Sequence, residues 1–314
     1  MTPDELLDPQ YALFRDEASS EWTLDNLPAI RARIAATYAR PGEGRGEQRW
    51  IPGAPGASEL RVCLYRPAAV DLGAALPAIL YVHGGGFVLG APEMMDDYLV
   101  ELAVSVGALV IAVDYRLAPE HPFPAPVEDC FAALRWMFHE AEALGLDRRR
   151  IVLMGHSAGG GLAAGLAIMA RDCQLPPLAG LALVYPMLDH RTGTPGAPSH
   201  NPVTGTFSWS REANRFCWEC LRGGFEPVGE RAAWLSPALA PTLEGLPTSF
   251  VGTGGLDLFM EEDVAFALQL SRSGVPVELH VYPGMPHMFD LHPGRVTEQC
   301  RADVLRALLG MCGR

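Results

Sequence analysis

The sequence predicts an α/β protein in which a mostly parallel central sheet is flanked by helices and covered by a helical cap. Short apolar runs that suit buried strands alternate along the chain with longer stretches whose apolar residues recur at helical spacing. Such alternation is typical of βαβ units, which build a parallel sheet with helices on both faces. The chain has 314 residues, and 49% of them are hydrophobic, which is ample for one large core.

The individual elements follow from these patterns in chain order. The predicted strands lie at 60–65, 78–82, 108–113, 151–154, 181–185, 249–252 and 277–282. The predicted core helices lie between and after them, at about 94–106, 127–144, 158–171, 264–273 and 296–309. Segment 50–65 has the spacing of a hairpin without a crossover helix, so we expect the first strands to pair antiparallel.

Two segments are predicted to form the cap. Residues 1–46 carry apolar side chains at helical spacing before a glycine-rich break, namely Leu24, Leu27, Ile30, Ile34 and Tyr38. Residues 190–234 are rich in proline, glycine and aromatic side chains, with a helix expected at 211–221, and are too long for a plain connection. We therefore expect a core at 47–314, with the second cap segment inserted at about 190–234 above the carboxyl edge of the sheet.

Composition excludes several classes of function. The formal net charge is −13, and an acidic surface repels nucleic acid and anionic membranes, so neither is an expected partner. All 24 basic residues are arginine, which excludes a Walker A loop, a Schiff-base lysine and a Ser-x-x-Lys nucleophile. No segment suits a signal peptide or a spanning helix. With seven cysteines at no disulfide-like spacing, the prediction is a cytoplasmic protein.

The segment 155–159 has the sequence Gly-His-Ser-Ala-Gly and lies between a predicted strand and a predicted helix. A sharp strand-to-helix turn with small neighbours exposes a serine hydroxyl at its tip. Ser157 is therefore the predicted nucleophile. A serine hydroxyl is inert near neutral pH until a base removes its proton, so this prediction requires a histidine.

The base and its acidic partner are selected by their place after the later strands. His287 follows the last predicted strand on a loop that can reach Ser157, and His292 is the alternative a few residues further on. Asp257 follows the strand at 249–252, whereas its rival Asp189 follows an earlier strand. The predicted catalytic residues are thus Ser157, Asp257 and His287, in the chain order of an α/β-hydrolase.

The run His83-Gly84-Gly85-Gly86 follows the strand at 78–82 and is the predicted oxyanion loop. The backbone N–H groups of Gly84, Gly85 and Ala158 are the expected oxyanion donors. A plain glycine turn or a phosphate cradle is the alternative, but the dinucleotide-binding spacing fails because Gly90 comes one residue too late.

Cys217 and Cys220 form a Cys-x-x-Cys pair on the helix expected at 211–221. A zinc site would need further ligands, and no second pair of this kind supplies them. We therefore predict no metal site, and expect these two cysteines to pack within the cap.

At these residues the chain resembles the hormone-sensitive-lipase family of bacterial carboxylesterases, also called family IV. The matching pieces are 83–86 with Phe87, 114–120 (Asp-Tyr-Arg-Leu-Ala-Pro-Glu), 155–160, Asp257 with Glu261 and Glu262, and 273–278 leading to His287. The resemblance implies an α/β-hydrolase fold with a helical cap, no cofactor, preference for short acyl esters, and a homodimer formed through the last strands. It also implies that Arg116, Glu120 and Asp129 form structural ion pairs behind the oxyanion loop.

Three positions depart from the family pattern without removing a catalytic group. His156 stands where the family usually has aspartate, Leu258 where it has proline, and Met288 where it has glycine. Leu258 and Met288 are therefore candidates for reshaping the substrate pocket. Phe87 and Trp209 are the other two pocket candidates.

The predicted function is a serine carboxylesterase that cleaves short-chain acyl esters of small molecules through an acyl-enzyme intermediate. A lactone hydrolase or an aryl-amide hydrolase would use the same site and have the same sequence features. A non-catalytic small-molecule-binding receptor is the alternative from another class. Plant gibberellin receptors resemble the family but have lost the histidine, which this chain keeps as His287.

Overall fold

A computed structural model describes residues 1–16, 20–67 and 75–314, so residues 17–19 of the predicted cap lie outside the described residues. The strands are β1 (Glu47–Pro52), β2 (Glu59–Tyr65), β3 (Leu76–Val82), β4 (Leu109–Val113), β5 (Leu146–His156), β6 (Gly180–Val184), β7 (Ser249–Gly254) and β8 (Val277–Tyr282). The helices are α1 (Pro3–Leu6), α2 (Leu27–Ala35), α3 (Asp96–Val106), α4 (Ala125–His139), α5 (Ala141–Leu144), α6 (Ala158–Asp172), α7 (Arg211–Arg222), α8 (Ala232–Leu235), α9 (Met260–Arg272) and α10 (Arg295–Met311).

The strands form one sheet in the order β1-β2-β4-β3-β5-β6-β7-β8. β2 pairs antiparallel with β1 and with β4, and the remaining neighbours are parallel. The predicted α/β class, with its mostly parallel sheet and antiparallel first strands, is confirmed. Every residue of β3, β4 and β6 is buried, because helices cover both faces of the central strands.

Two helical layers enclose the sheet. α3 and α10 pack on one face, while α4, α6 and α9 pack on the other. α6 lies against the sheet at very short range, since a Cβ added at Gly159 would come within 2.1 Å of the Val82 carbonyl oxygen. Only glycine fits at that position, and this close approach holds the first turn of α6 beside the carboxyl ends of β3 and β5.

The N-terminal segment contains less helix than its apolar spacing predicts. α2 begins at Leu27, with Pro28 in its first turn, and ends at Ala35, so Leu24 and Tyr38 lie outside it. The segment is anchored elsewhere by Tyr11, which is fully buried and whose hydroxyl accepts a hydrogen bond from the Thr297 backbone N–H of α10 (2.8 Å).

The inserted segment 190–234 contains α7, close to the helix expected there. Ser210 caps α7, because its hydroxyl accepts a hydrogen bond from the Ala213 backbone N–H (3.1 Å). Cys217 and Cys220 are both buried and free. A Cβ added at Gly86 would lie 2.7 Å from the Cys217 sulfur, so α7 packs against the predicted oxyanion loop. None of the described helices is both long and apolar enough to cross a membrane.

Candidate active site

Ser157 lies at the turn between β5 and α6, at the carboxyl edge of the sheet. Its backbone has φ 56° and ψ −124°, a strained conformation that non-glycine residues adopt mainly at functional sites. The turn is tight enough that a Cβ added at Gly155 would lie 2.2 Å from the Gly159 carbonyl oxygen. The backbone N–H of Ser157 donates to the Val184 carbonyl (2.9 Å), which ties the turn to the end of β6.

A continuous chain of hydrogen bonds leads from Ser157 to a carboxylate. The Ser157 Oγ lies 2.8 Å from His287 Nε2, and His287 Nδ1 lies 2.7 Å from Asp257 Oδ2. The other carboxylate oxygen of Asp257 accepts from the Phe259 backbone N–H (2.9 Å). Since a carboxylate only accepts, Nδ1 carries the proton of a neutral imidazole, and Nε2 is left to accept from the serine hydroxyl.

The loops after β7 and β8 bring the histidine and the carboxylate together. The Leu256 backbone N–H donates to the Met285 carbonyl (2.9 Å), so the loop that carries Asp257 is bonded to the loop that carries His287. Both side chains are almost completely buried, at 0% and 1% exposure. Burial excludes water from competing for these bonds and strengthens them.

The alternative residues from the sequence lie in other contacts. The His292 ring packs edge-on against Phe14 at 5.0 Å. Asp189 forms an ion pair with Arg191 (2.7 Å). Neither of these two alternatives belongs to the hydrogen-bonded chain that contains Ser157.

The loop after β3, the predicted oxyanion loop, lies directly against Ser157. A Cβ added at Gly84 would lie 3.4 Å from the Ser157 Cβ, and one at Gly85 (φ 115°) would collide with the Leu89 carbonyl oxygen at 2.1 Å. His83 supports the loop by donating from Nδ1 to the Gly84 carbonyl (2.7 Å). Burial lowers the pKa of His83, which therefore acts as a neutral hydrogen-bonding group.

Ala158 is the first residue of α6, a helix of fifteen residues. The first N–H groups of a helix have no partner within the helix and carry a partial positive charge. The Ala158 N–H is therefore available for a negatively charged oxygen formed beside Ser157.

Ion pairs hold the segment behind the oxyanion loop. Arg116 binds both carboxylate oxygens of Asp129, at 2.8 and 2.9 Å. Glu120 instead pairs with Arg31 of α2 (2.6 Å), and this bond lowers the pKa of Glu120 to about 2. Arg31 also donates to the Val88 carbonyl (2.7 Å). These two contacts link the N-terminal segment to the predicted oxyanion loop. Sequence reasoning missed the ion pair because Arg31 and Glu120 lie 89 residues apart.

Comparison with known proteins agrees with this geometry. A family model described as an α/β-hydrolase fold matches residues 79–291. Carboxylesterase NlhH of Mycobacterium tuberculosis (strain ATCC 25618 / H37Rv) is 34% identical over 293 residues, which are 90% of this chain and 88% of that protein. The chain belongs to the hormone-sensitive-lipase family. The family and the fold predicted from the sequence are both confirmed.

Two further proteins of this superfamily are similar over most of their length. Ethyl acetate hydrolase of Pseudomonas putida is 33% identical over 243 residues, which are 76% of this chain and 74% of that protein. A solved structure of a bacterial heroin esterase superposes with a TM-score of 0.88, is 34% identical, and covers 99% of each chain. The likeness therefore extends through the cap segments as well as the hydrolase core.

In this member of the hormone-sensitive-lipase family, Ser157 and His287 open onto a cavity of about 220 Å³. Trp209 and Met288 line it, as do two N-terminal residues, Trp22 and Ile30, that sequence reasoning did not place in the pocket. The rings of Trp22 and Trp209 meet edge to face at 5.4 Å. The wall opposite the sheet is thus built jointly by the two predicted cap segments.

The other two pocket candidates lie outside the lining of this cavity. Phe87 is 1% exposed and packs against Trp218 at 5.0 Å. Leu258 lines a neighbouring cavity beside the segment that follows β6. Phe87 therefore supports the oxyanion loop from behind, and Leu258 supports the inserted segment.

Sequence reasoning also missed the side of the cavity that lies on the sheet. Tyr81, His156 and Tyr185 line it, and Asp290 lies next to His156. The departure of His156 from the family pattern was the only sequence signal for this group. Their partners lie on separate elements and become neighbours only in the folded chain.

Proposed function

We propose that this protein is a serine carboxylesterase that cleaves short-chain acyl esters of small molecules, with Ser157 as nucleophile, His287 as base and Asp257 as the group that orients the base. The hydrogen-bonded chain from Ser157 to Asp257 is the observation that carries the proposal. It supplies the proton acceptor that a serine nucleophile needs, in the correct tautomer.

In the first step, Ser157 Oγ attacks the ester carbonyl carbon while His287 Nε2 takes the hydroxyl proton. The carbonyl π-electrons move to the oxygen, and the N–H groups of Gly84, Gly85 and Ala158 stabilise the resulting oxyanion. Each such donor contributes roughly 3 kcal/mol of transition-state stabilisation. The tetrahedral intermediate then collapses, the alcohol leaves with the proton from His287, and the acyl group stays on Ser157.

The second step repeats this chemistry with water. His287 takes a proton from the water as its oxygen attacks the acyl carbon, and the same backbone donors hold the second oxyanion. Collapse breaks the bond to Ser157 Oγ, which recovers its proton from His287. The products are a carboxylic acid, an alcohol and unchanged enzyme.

The size of the cavity supports small substrates. Its volume of about 220 Å³ lies below the roughly 300–1,000 Å³ of drug-sized ligand sites. The relative named ethyl acetate hydrolase points in the same direction. We therefore propose substrates whose acyl groups are at the short end of the chain-length series. Because the net charge is −13, we propose neither nucleic acid nor a membrane as a partner.

Compartment and assembly are proposals of the same kind. All seven cysteines are free and six of them are buried, which suits the reducing cytoplasm.

β8 is an edge strand with Val281 exposed, so we propose a homodimer in which β8 of two copies come together. Light scattering coupled to size exclusion tests this, since a mass of 33.9 kDa, that of one chain, would contradict it.

The function is tested with p-nitrophenyl esters from acetate to palmitate, using the wild type, Ser157→Ala and Ser105→Ala. We expect activity that falls with chain length, a loss of at least about 10⁴-fold in Ser157→Ala, and wild-type activity in Ser105→Ala, whose site is exposed on α3. A fluorophosphonate should label the wild type and not Ser157→Ala.

Other outcomes identify the alternatives. Labelling without hydrolysis of any ester would favour a lactone or aryl-amide substrate. Neither labelling nor hydrolysis by a folded protein would contradict the enzyme and favour a binding role.

A further inference from the structure

A second buried histidine–carboxylate pair lies beside the one that contacts Ser157, and its histidine lines the cavity. His156 Nε2 lies 3.5 Å from Asp290 Oδ2, and the two side chains are only 6% and 5% exposed. His156 immediately precedes the nucleophile and lines the cavity, whereas Asp290 follows the loop that carries His287. The proposed acyl-transfer steps do not use this pair. The function of His156 at the cavity is therefore a separate question.

Two tyrosine hydroxyls fix the pair. The Tyr81 hydroxyl lies 3.1 Å from His156 Nδ1, and the Tyr185 hydroxyl donates to Asp290 Oδ1 at 2.5 Å. Burial is the largest cause that raises the pKa of Tyr81 and of Tyr185 well above the usual value, so both hydroxyls keep their protons. Because the Asp290 carboxylate only accepts, a neutral His156 carries its proton on Nε2, and Nδ1 then accepts from the Tyr81 hydroxyl.

The imidazole of His156 is also enclosed on its sides. The rings of Tyr81, Tyr98 and Tyr185 lie 5.5 to 5.7 Å from it, centroid to centroid. Tyr98 belongs to α3 and is covered by the guanidinium of Arg301 from α10 at 5.8 Å. One ring nitrogen is hydrogen-bonded to Tyr81, the other faces Asp290, and aromatic rings pack around the imidazole, so these contacts hold the ring in its place.

We propose that His156 is a specificity-determining residue, which together with Tyr81 and Tyr185 closes one end of the substrate cavity and restricts the ester group that enters there to short chains. These three rings form the cavity floor. The inference rests on the proposed esterase function and adds the reason for a short-chain limit. A rigid floor sets a sharp limit, because protein interiors are close-packed and an extra methylene group cannot be accommodated by small shifts.

The test replaces His156 and measures chain-length preference. His156→Ala removes the ring, and His156→Asn keeps an oxygen near the Nδ1 position that can accept from Tyr81, in case the alanine variant does not fold. kcat/KM is measured for two series, p-nitrophenyl esters of increasing acyl length and acetate esters of increasing alcohol length. In the series whose variable group faces the floor, we expect the long-to-short ratio to rise by about fourfold for each methylene group newly accommodated. His156→Asn should give a smaller rise.

His280→Ala is the matched control. His280 also has a partner at each ring nitrogen, Glu278 at 2.5 Å and Asp303 at 3.5 Å, but it lies on β8 outside the cavity lining. Its long-to-short ratios should equal those of the wild type. Ratios within one enzyme are independent of the folded fraction, so they separate a change in specificity from a loss of stability.

The outcomes separate the two proposals. If the wild type hydrolyses short esters and folded His156 variants keep its preference in both series, the role of His156 is wrong while the esterase function stands. If the wild type hydrolyses no ester and is not labelled by a fluorophosphonate, the function itself fails. A chain-length shift of the same size in His280→Ala would also overturn the role of His156.

Discussion

Two buried histidine–carboxylate pairs lie on either side of Tyr185, and their surroundings differ. His287 meets Asp257 at 2.7 Å, and His156 meets Asp290 at 3.5 Å. The Tyr185 ring touches His287 edge to face at 4.5 Å, and its hydroxyl bonds Asp290. Proximity to a carboxylate is therefore common to both histidines and does not by itself make either one a base.

The second nitrogen of each histidine makes the difference. His287 Nε2 faces the Ser157 hydroxyl at 2.8 Å, whereas His156 Nδ1 is occupied by the Tyr81 hydroxyl. A general base needs a free lone pair within hydrogen-bond reach of the proton that it removes. By this criterion the pair His287–Asp257 can transfer a proton, whereas the pair His156–Asp290 holds the imidazole ring of His156 in place.

The largest expected effect comes from replacing the carboxylate of each pair by an amide. Asp257→Asn leaves the size of the side chain unchanged but favours the wrong tautomer of His287, and we expect kcat to fall by about 10⁴-fold. Asp290→Asn should lower kcat by less than about tenfold, because its histidine takes no part in proton transfer. Steady-state kinetics with p-nitrophenyl acetate measure both. Equal losses in the two variants would mean that the second pair also acts in catalysis.

The contrast also shows how much of the site the sequence could predict. Ser157, Asp257 and His287 each follow a strand, and the carboxyl ends of parallel neighbours meet at one edge of the sheet. The register, which aligns His156 with Val184 and Gly254 with Tyr282, brings the loops together. Strand order and local turn signals were enough to predict that these three side chains lie together, and their catalytic roles stay a prediction.

The cavity floor and the cap contacts could not be predicted in the same way. The floor combines the end of β3, the end of β5 and the residue after β6, and ring orientations there depend on packing against α3 and α10. The pairing of Arg31 with Glu120 likewise joins residues that no periodicity relates. Such contacts follow from tertiary packing, which one sequence does not reveal.

A third buried carboxyl, Asp263, belongs to neither pair, and it should make the stability of the protein depend on pH. Asp263 is fully buried in α9, and neither of its side-chain oxygens has a hydrogen-bond partner among the described residues. Burial, followed by the charges of Glu262 and Asp257, raises its pKa well above the usual value. The folded state thus keeps a proton that the unfolded state releases, so this group lowers the free energy of unfolding as pH rises above its unfolded pKa.

Asp263→Asn removes that effect. We expect the variant to gain stability over the wild type as pH rises from 5 to 8, by up to about 1.4 kcal/mol per pH unit while the folded carboxyl stays protonated. Urea unfolding at a series of pH values measures the difference. Asp97→Asn, at a side chain that is 92% exposed, is the control and should show no such trend. A difference that is flat with pH would mean that Asp263 is ionised in the folded protein.

Asp290 should show the opposite sign and a smaller effect. Burial opposes its ionisation, but His156 (by its hydrogen bond and, when protonated, its charge), the hydrogen bond from Tyr185 and the charge of Arg301 outweigh burial and lower the pKa of Asp290. The stability that it contributes is therefore present above its unfolded pKa and is lost as pH falls through the folded value. Asp290→Asn should cost about 1–3 kcal/mol at pH 7.

The pH dependence separates a charged Asp290 from a neutral one. Below about pH 4, near the ordinary pKa of an aspartate, the difference between Asp290→Asn and the wild type should begin to shrink, because the carboxylate takes up a proton in the unfolded chain before it does so in the folded one. Urea unfolding at pH 7, 5 and 3.5 measures it. A difference that stays constant down to pH 3.5 would show that Asp290 stabilises the fold through hydrogen bonding and packing alone. The carboxylate would then hold the cavity floor without using its charge.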